Sequence, residues 1–510
     1  MTQNIHINKD SHATFNNNAF FCIGTGRMGL ALQKAYCEQL KLVQDKIGFT
    51  HIRGHGLFSD DMAIYHEYKD ADGSTHVEYN FTYLDMVMDN YREVHITPFL
   101  ELGFMPKQLA SGEQTVFYWQ GNVTPPADYG KWAALVQATL RHLIARYGKD
   151  EVTTWPIEVW NEPNLDCFWK GADMNEYFKL YDVTSRAVKE VCADLKVGGP
   201  AVCGGTDKEW VKAFLEFVRD KKCPLDFVTR HHYTISQPEH DGHYGYAELH
   251  TVDHALEQLE PTRGIVDSFP EFRGMDIHVT EFNTAYAANI PIHDTNMNAA
   301  YIAYLLSRLG DNHASYSYWT FGDIFEEGGV PFTPFHGGFG LVADGLIPKP
   351  TFWTFAFFKK LNGTPVFRSE SSVIVRRADG SYCGVCWNLD DAHKKNELNL
   401  SFAFDAPSSD YCLITQLVDE ECCNPLKVWH DMGEPASLSE AQKQLLRDAA
   451  QPAVRTTRLT AQNATADGKA VTVELTLAPN AVCCFELSPA PLTSDRGYSY
   501  ERALLVESKK

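Results

Sequence analysis

Two glutamates end similar stretches of this chain. Residues 157–164 read IEVWNEPN and residues 276–283 read DIHVTEFN. In each, an apolar run gives way to a carboxylate, Glu162 in the first and Glu281 in the second. Two carboxyl groups on facing elements are the equipment for cleaving a glycosidic bond: one protonates the departing oxygen, while the other attacks the sugar or activates water. A gap of roughly 5–5.5 Å gives a covalent intermediate and retention, whereas roughly 6.5–9.5 Å leaves room for water and gives inversion. Asn161, just before Glu162, carries an amide able to hydrogen-bond a sugar 2-hydroxyl. On this reading Glu281 is the nucleophile. Glu162 is the acid and then the base, its proton affinity following the charge on Glu281.

Those glutamates can meet only if the chain brings their strands together. From about residue 18 to 321, short apolar runs alternate with amphipathic helical patterns. The runs are FFCIGTGR, HIRGHGLF, HITPFLELGF, IEVWNEPN, KVGGPAV, FVTRHHY, DIHVTEFN and ASYSYWTF. Between them, segments such as 31–48, 132–148, 174–191, 209–222 and 296–310 repeat apolar residues at i, i+3, i+4 and i+7. Eight strand–helix units predict an α/β fold, a (β/α)8 TIM barrel over 16–350. Its chemistry belongs at the C-terminal strand ends. Glu162 ends the fourth run and Glu281 the seventh, across the barrel mouth from each other.

Beyond 321, FGDIFEEGGVPFTPFHGGFG reads as a long ordered loop, and a short helix follows in TFWTFAFFKKLN. From about 363 to 488 short runs alternate polar and apolar residues, which predicts an accessory antiparallel β-sandwich domain over 351–488. One helix interrupts it, SLSEAQKQLLRDAA, with Ser437 or Ser439 as its N-cap. Residues 1–15 are expected to add a strand to the sandwich, and 489–510 form a C-terminal tail.

Composition narrows the partners. The chain has 510 residues with 45 basic against 66 acidic side chains, a net charge of −21. That balance disfavours nucleic acid and anionic membranes. No stretch approaches a membrane span, and the first twenty residues lack the pattern of a signal peptide. The thirteen cysteines are expected to be free thiols in a reducing cytoplasm. Cys383 and Cys386 form a CxxC without a second pair of zinc-like spacing, so no metal is expected. GTGRMG breaks the dinucleotide-binding pattern by one position, and no cofactor is expected.

VWNEPN with the downstream HVTEFN resembles the retaining barrel glycosidases of clan A. The longer strings ELGFMPKQLASGEQTVFYWQGNVTPPADYGKW, EYFKLYDVTSRAVK and WTFGDIFEEGGVPFTPFHGGFGL resemble glycoside hydrolase family 39, and within it the bacterial β-xylosidases. The resemblance runs from about residue 20 to 485. It implies Glu162 as acid/base and Glu281 as nucleophile. It also implies a sugar subsite built from Arg53, His55, Phe117, Asn161, His231, Tyr233, Tyr286, Trp319, Glu326 and Glu327.

Each of these residues also has a physical role open to it. Arg53 could hold the nucleophile by charge-assisted hydrogen bonds. His55, His231 and Tyr233 could donate to sugar hydroxyls or orient Glu281, and Trp319 could floor the sugar ring. Glu326 and Glu327 could accept from hydroxyls and crowd the space a hexose C6 would fill. His232 and Gly322 depart from the usual pattern. The expected activity is release of D-xylose from the non-reducing ends of β-1,4-xylo-oligosaccharides, with retention. The alternatives are an arabinosidase-like or α-L-iduronidase-like specificity on the same fold, or a non-catalytic sugar-binding protein. Relatives occur as tetramers and as monomers, so a homo-oligomer stays open.

Overall fold

The computed structural model describes residues 2–390, 393–465, 468–491 and 503–504. All eight apolar runs are strands, and they close into one parallel barrel. In chain order the barrel strands are Cys22–Arg27, His51–His55, Thr97–Leu102, Pro156–Val159, Lys196–Val202, Phe227–Tyr233, Ile277–Asn283 and Ser315–Tyr318. The eighth meets the first at Tyr318 and Ile23, which closes the cylinder. The strands are buried along almost their whole length, as a sheet covered on both faces must be, and so they read as apolar runs rather than alternations.

Helices ring the barrel, and their ends follow ordinary capping chemistry. Asp128 accepts from the backbone N–H groups of Gly130 and Lys131 to start Tyr129–Tyr147. Asp173 does the same for Met174–Val191 through Asn175 and Glu176. The helix Pro350–Lys359 differs, because its sequence, PTFWTFAFFK, has almost no polar face. A helix apolar all round must be covered on every side. Phe355 packs edge-on to Tyr318 of the eighth barrel strand, and Phe358 lies against Trp387 of the sandwich. The Thr354 hydroxyl donates to Ala299 of the neighbouring barrel helix. The expected division at 350/351 falls at the start of this helix, which packs on both the barrel and the sandwich.

The sandwich has a six-stranded sheet and a four-stranded one. Between them lie Ile7, Phe402, Phe404, Val473, Phe485 and Leu487. The N-terminal strand Thr2–Ile7 pairs with Leu398–Asp405, and it does so in parallel, the exception in an otherwise antiparallel domain. Ser439 caps the helix Glu440–Ala449 in a reciprocal capping box with Gln442. The expected tail falls at 492–502 and 505–510 outside the described residues.

The loop after the eighth strand is held from beneath by three buried charges. Lys349 Nζ lies 2.6 Å from both Asp294 Oδ1 and Asp323 Oδ2 and donates to the Gly338 carbonyl at 2.8 Å. Asp294 Oδ2 and Asp323 Oδ1 accept from the backbone N–H groups of Gly337 and Gly340. The glycine-rich segment is thereby tied to the body of the barrel. Removing one partner of a buried ion cluster leaves charge uncompensated. Lys349→Met is therefore expected to lower the unfolding free energy by about 3–5 kcal/mol in urea titrations.

Candidate active site

Glu162 lies three residues beyond the fourth strand, on backbone bent out of the usual regions. Trp160 has φ +72° and Glu162 φ +41°, left-handed conformations that cost a non-glycine residue roughly 1–3 kcal/mol each. The Glu162 N–H donates to the Ala201 carbonyl of strand five at 3.0 Å. Trp160 is wedged among Phe104, Trp132 and Trp169, and its indole N–H donates to the Phe168 carbonyl. Packing thus fixes the turn that aims this carboxyl inward. Glu281 is simpler: it sits within strand seven, in register with His231 of strand six.

The two carboxyls meet. One ligand atom from each of Glu162, His231 and Glu281 lies within 4.8 Å of the other two. His231 Nδ1 is 2.7 Å from Glu162 Oε1 and 3.5 Å from Glu281 Oε2. The Tyr233 hydroxyl donates to Glu281 Oε2 at 2.6 Å, and Arg53 Nη1 donates to Glu281 Oε1 at 2.6 Å. Two donors on two oxygens suit a carboxylate, which is an acceptor only. Because Arg53 and Tyr233 already occupy Glu281, a cation bound by these three residues would have to compete with a guanidinium for it.

Arg53 is fully buried and does more than touch Glu281. Its Nε donates to Glu158 Oε2 at 2.6 Å, its Nη2 to Asn161 Oδ1 at 3.0 Å, and Glu101 Oε2 lies 2.9 Å from Nη2. Burial works against its charge, but Glu158, Glu101 and Glu281 outweigh burial and keep it protonated. Glu101 also receives His55 Nδ1 at 2.7 Å.

Among these carboxyls the charges are unequal. Burial, and next the charge on Glu281, push Glu162 well above the ordinary carboxyl value. Glu327 is pushed up for the same two reasons. Burial raises Glu158 too, against the pull of Arg53. Burial and the Arg53 charge hold His231 well below the ordinary imidazole value, so it is neutral. Burial and Glu281 keep the proton on Tyr233.

Around them opens a cavity of about 600 Å³. Of the residues expected from the sequence, it is lined by His55, Phe117, Asn161, Glu162, His231, Tyr233, Glu281, Tyr286, Trp319 and Glu327. Arg53 lies beneath this surface. Trp319 rests on the first strand at Gly24, where an added β-carbon would come 2.5 Å from the indole. Glu326 is not brought to the cavity: its carboxylate is bound by Arg27 at 2.7 Å and Gln33 at 3.2 Å, on the other side of the loop. Adjacent residues of an extended loop point apart, so of the two only Glu327 faces inward. Its Oε1 is buried without a hydrogen-bond partner, 3.7 Å from His55 Nε2.

Glu101, Glu158 and Cys203 belong to the site and were not expected. Their signal was a carboxylate inside an apolar barrel run, in PFLELGF and in PIEVW; Cys203 had none. Of the two departures, His232 lines the cavity and is held neutral by burial and Arg230. Gly322 lies elsewhere, and the place of its missing β-carbon is taken by Gln39, whose Oε1 would be 2.2 Å away.

With this geometry in hand, comparison with known proteins is informative. The model for glycosyl hydrolases family 39 matches residues 3–467. A β-xylosidase of Geobacillus stearothermophilus is 47% identical over 491 residues, covering 95% of each chain. One from Caldicellulosiruptor saccharolyticus is 35% identical over 433 residues, covering 82% of this chain and 86% of the relative. A crystal structure of a monomeric β-xylosidase from Caulobacter crescentus CB15 superposes with a TM-score of 0.86 at 31% identity, over 96% of this chain and 100% of that one.

The raised proton affinity of Glu327 has a consequence for stability. A carboxyl whose folded value exceeds its unfolded one is protonated first in the native state, so native stability falls as pH rises above the ordinary value of 4.5. Glu327→Gln removes that loss. Its melting temperature is expected to exceed that of the unaltered protein, by a margin that grows with rising pH and closes toward pH 4.5.

Proposed function

Because this chain belongs to glycosyl hydrolases family 39, we propose that it is a retaining, exo-acting β-xylosidase working through Glu162 and Glu281. It is a hydrolase of glycosidic bonds. The observation that carries the mechanism is the approach of the two carboxyls to within 4.8 Å at the ends of strands four and seven. That gap is on the scale of double displacement and too short to seat a water between carboxylate and sugar. The observation that favours xylose is 47% identity, along nearly the whole chain, to a β-xylosidase.

In the first step a Glu281 oxygen attacks the anomeric carbon. Glu162 gives its proton to the leaving oxygen. The C1–O bond breaks, and a glycosyl ester of Glu281 forms. In the second step Glu162, now a carboxylate, takes a proton from water as that water attacks C1 and releases Glu281. Glu162 begins protonated because it is buried beside a charged Glu281. Esterification removes that charge, and the proton becomes easier to lose when a base is needed. Arg53 accounts for the Asn161 amide oxygen, which leaves the Asn161 NH2 to donate to the sugar 2-hydroxyl. Trp319 floors the ring, and Glu327 crowds the position of a hexose C6.

Exo action fits the two loops that wall the cavity. Residues 102–128 carry Phe117 and residues 322–340 carry Glu327, and the loops are joined where the Tyr118 N–H donates to the Glu327 carbonyl at 2.8 Å. Xylo-oligosaccharides are the proposed substrates. A cytoplasmic location suits thirteen cysteines that are all free thiols; no helix of the described residues is long and apolar enough to cross a membrane.

Hydrolysis of an aryl β-D-xyloside is expected to be rapid and to collapse by several orders of magnitude in Glu281→Ala. Proton NMR of the first-formed sugar should show β-xylose; α-xylose appearing first would refute double displacement. A second expectation concerns Glu162 alone. When Glu281 is trapped as a 2-fluoro-xylosyl ester, the Glu162 carboxyl should titrate at lower pH than in the free enzyme. Carbon-13 NMR of labelled glutamate reads this directly, and an unchanged titration would refute the coupling.

A further inference from the structure

We propose that the part of the cavity over strands five and six seats the leaving sugar, the xylose on the reducing side of the cleaved bond, with His232 and His250 binding its hydroxyls. This rests on the reading of Glu162 and Glu281 as the reacting pair. The barrel order divides the cavity. Around the cylinder, strands eight, one, two and three lie on one side and strands five and six on the other, with four and seven between. Glu162 follows strand four, and Glu281 lies in strand seven. His55, Phe117, Trp319 and Glu327, expected to hold the sugar that is attacked, come from strand two and from the segments after strands three and eight. The same cavity is lined by Gly204 and Gly205 after strand five, by His232 of strand six, and by His250 and Gln258 beyond it. A pentose alone does not need about 600 Å³, a volume that seats a drug-sized ligand. The two carboxyls flank the bond that is cut, so the sugar that leaves lies across them from the sugar that is attacked.

The chemistry of this part suits a neutral sugar. His231 points into the barrel mouth, where it meets both carboxyls. Successive residues of a strand face opposite ways, so His232 turns toward the helix layer, and yet it lines the cavity. It is 2% exposed, and its Nε2 is buried without a hydrogen-bond partner. His250 Nδ1 is likewise buried and unpartnered. A buried polar atom left unpaired is costly, and two beside one cavity call for a partner there. A neutral imidazole offers one donor and one acceptor, and a sugar hydroxyl meets either. Arg230 is the one cation among the described residues lining the cavity, and the fold already uses it. Its Nη1 donates to the Gln258 carbonyl and to Thr262 Oγ1, both at 2.9 Å, with Asp207 Oδ2 3.2 Å away. A uronic acid finds no free positive charge here. Gly204 and Gly205, both at φ +70°, have nothing within 4 Å of where a β-carbon would stand. Bare backbone leaves that edge open for the further sugars of a longer chain.

The test compares leaving groups. Xylobiose releases a xylose, whereas an activated aryl β-D-xyloside releases a phenol with no sugar hydroxyls to bind. His232→Ala should lower kcat/KM on xylobiose about tenfold, the scale of one lost hydrogen bond, and change kcat/KM on the aryl xyloside by less than about twofold. His250→Ala, on a loop rather than in the barrel, should part the two substrates in the same direction. His232→Gln, which keeps a donor and an acceptor, should recover most of the loss. Circular dichroism and melting temperature establish that each variant is folded. Transfer is a second readout. With the aryl xyloside as donor, added xylose competes with water for the glycosyl-enzyme, and both alanine variants should form less disaccharide. If water alone fills this part of the cavity, the two substrates will fall together or not at all and transfer will be unchanged; the inference is then wrong. It is also wrong if the unaltered protein cleaves the aryl xyloside but not xylobiose. Failure of the premise looks different: an unaltered protein that cleaves neither substrate, or a Glu281→Ala variant that keeps its rate, removes the reacting pair and the seat with it.

Discussion

One guanidinium holds this site together. Arg53 is buried at the mouth of the barrel, and its nitrogens reach carboxylates from three other strands: Glu101 of the third, Glu158 of the fourth and Glu281 of the seventh. With Glu162 and Glu327 close by, five carboxyl groups gather around one guanidinium among the described residues. Not all five can be ionised in so little water. The structure sorts them by contact. Glu281, Glu101 and Glu158 are in contact with Arg53, while burial and their neighbours' charge keep the proton on Glu162 and Glu327. Of two identical side chains in one cavity, Arg53 touches Glu281 and leaves Glu162 to burial, the separation that the proposed roles of nucleophile and acid require.

The same contact sets the geometry. Arg53 presents a planar fork with fixed directions. Its Nη1 aims Glu281, its Nη2 takes the oxygen of Asn161, and its Nε anchors to Glu158 on the strand that leads to Glu162. Both carboxyls of the pair, Glu162 and Glu281, are thereby referred to one rigid group. The strained backbone at Trp160 and Glu162 is the local cost of aiming the Glu162 carboxyl inward. It is sustained by a tightly packed aromatic layer of Phe104, Trp132, Trp160 and Trp169. Binding groups placed before the substrate arrives need no rearrangement at the moment of reaction.

Much of this was legible in the sequence, and the failures have physical reasons. All eight barrel strands were readable because strands buried on both faces are unbroken apolar runs separated by amphipathic helices. The two glutamates were readable because a charge at the end of such a run is out of place unless it has a task. Glu101 and Glu158 broke the same rule from inside their runs, but a single carboxylate among apolar neighbours carries no hint of its partner 46 or more residues away. Glu326 and Glu327 could not be told apart, since only the loop's path decides which one turns inward. The helix Pro350–Lys359 was readable as a helix, but not the domain it joins, because it packs on the barrel at Tyr318 and on the sandwich at Trp387. Cys203 was invisible, because nothing in the sequence says that the residue after strand five lines the cavity beside Glu162.

The fold uses the same device a second time, away from the chemistry. Lys349 holds Asp294 and Asp323 just as Arg53 holds its glutamates: one buried cation, more carboxylates than it can neutralise, each from a different part of the chain. Such clusters are poor sources of stability, since well-packed apolar side chains of the same volume often serve as well or better. What a fork of charge-assisted bonds offers instead is direction. One cluster fixes where Glu281 and Asn161 point, and the other fixes the segment that carries Glu327 to the cavity. Two elements that line the cavity, the Glu281 side chain and a glycine-rich loop, are held by ions, while the core of the barrel is held by apolar packing.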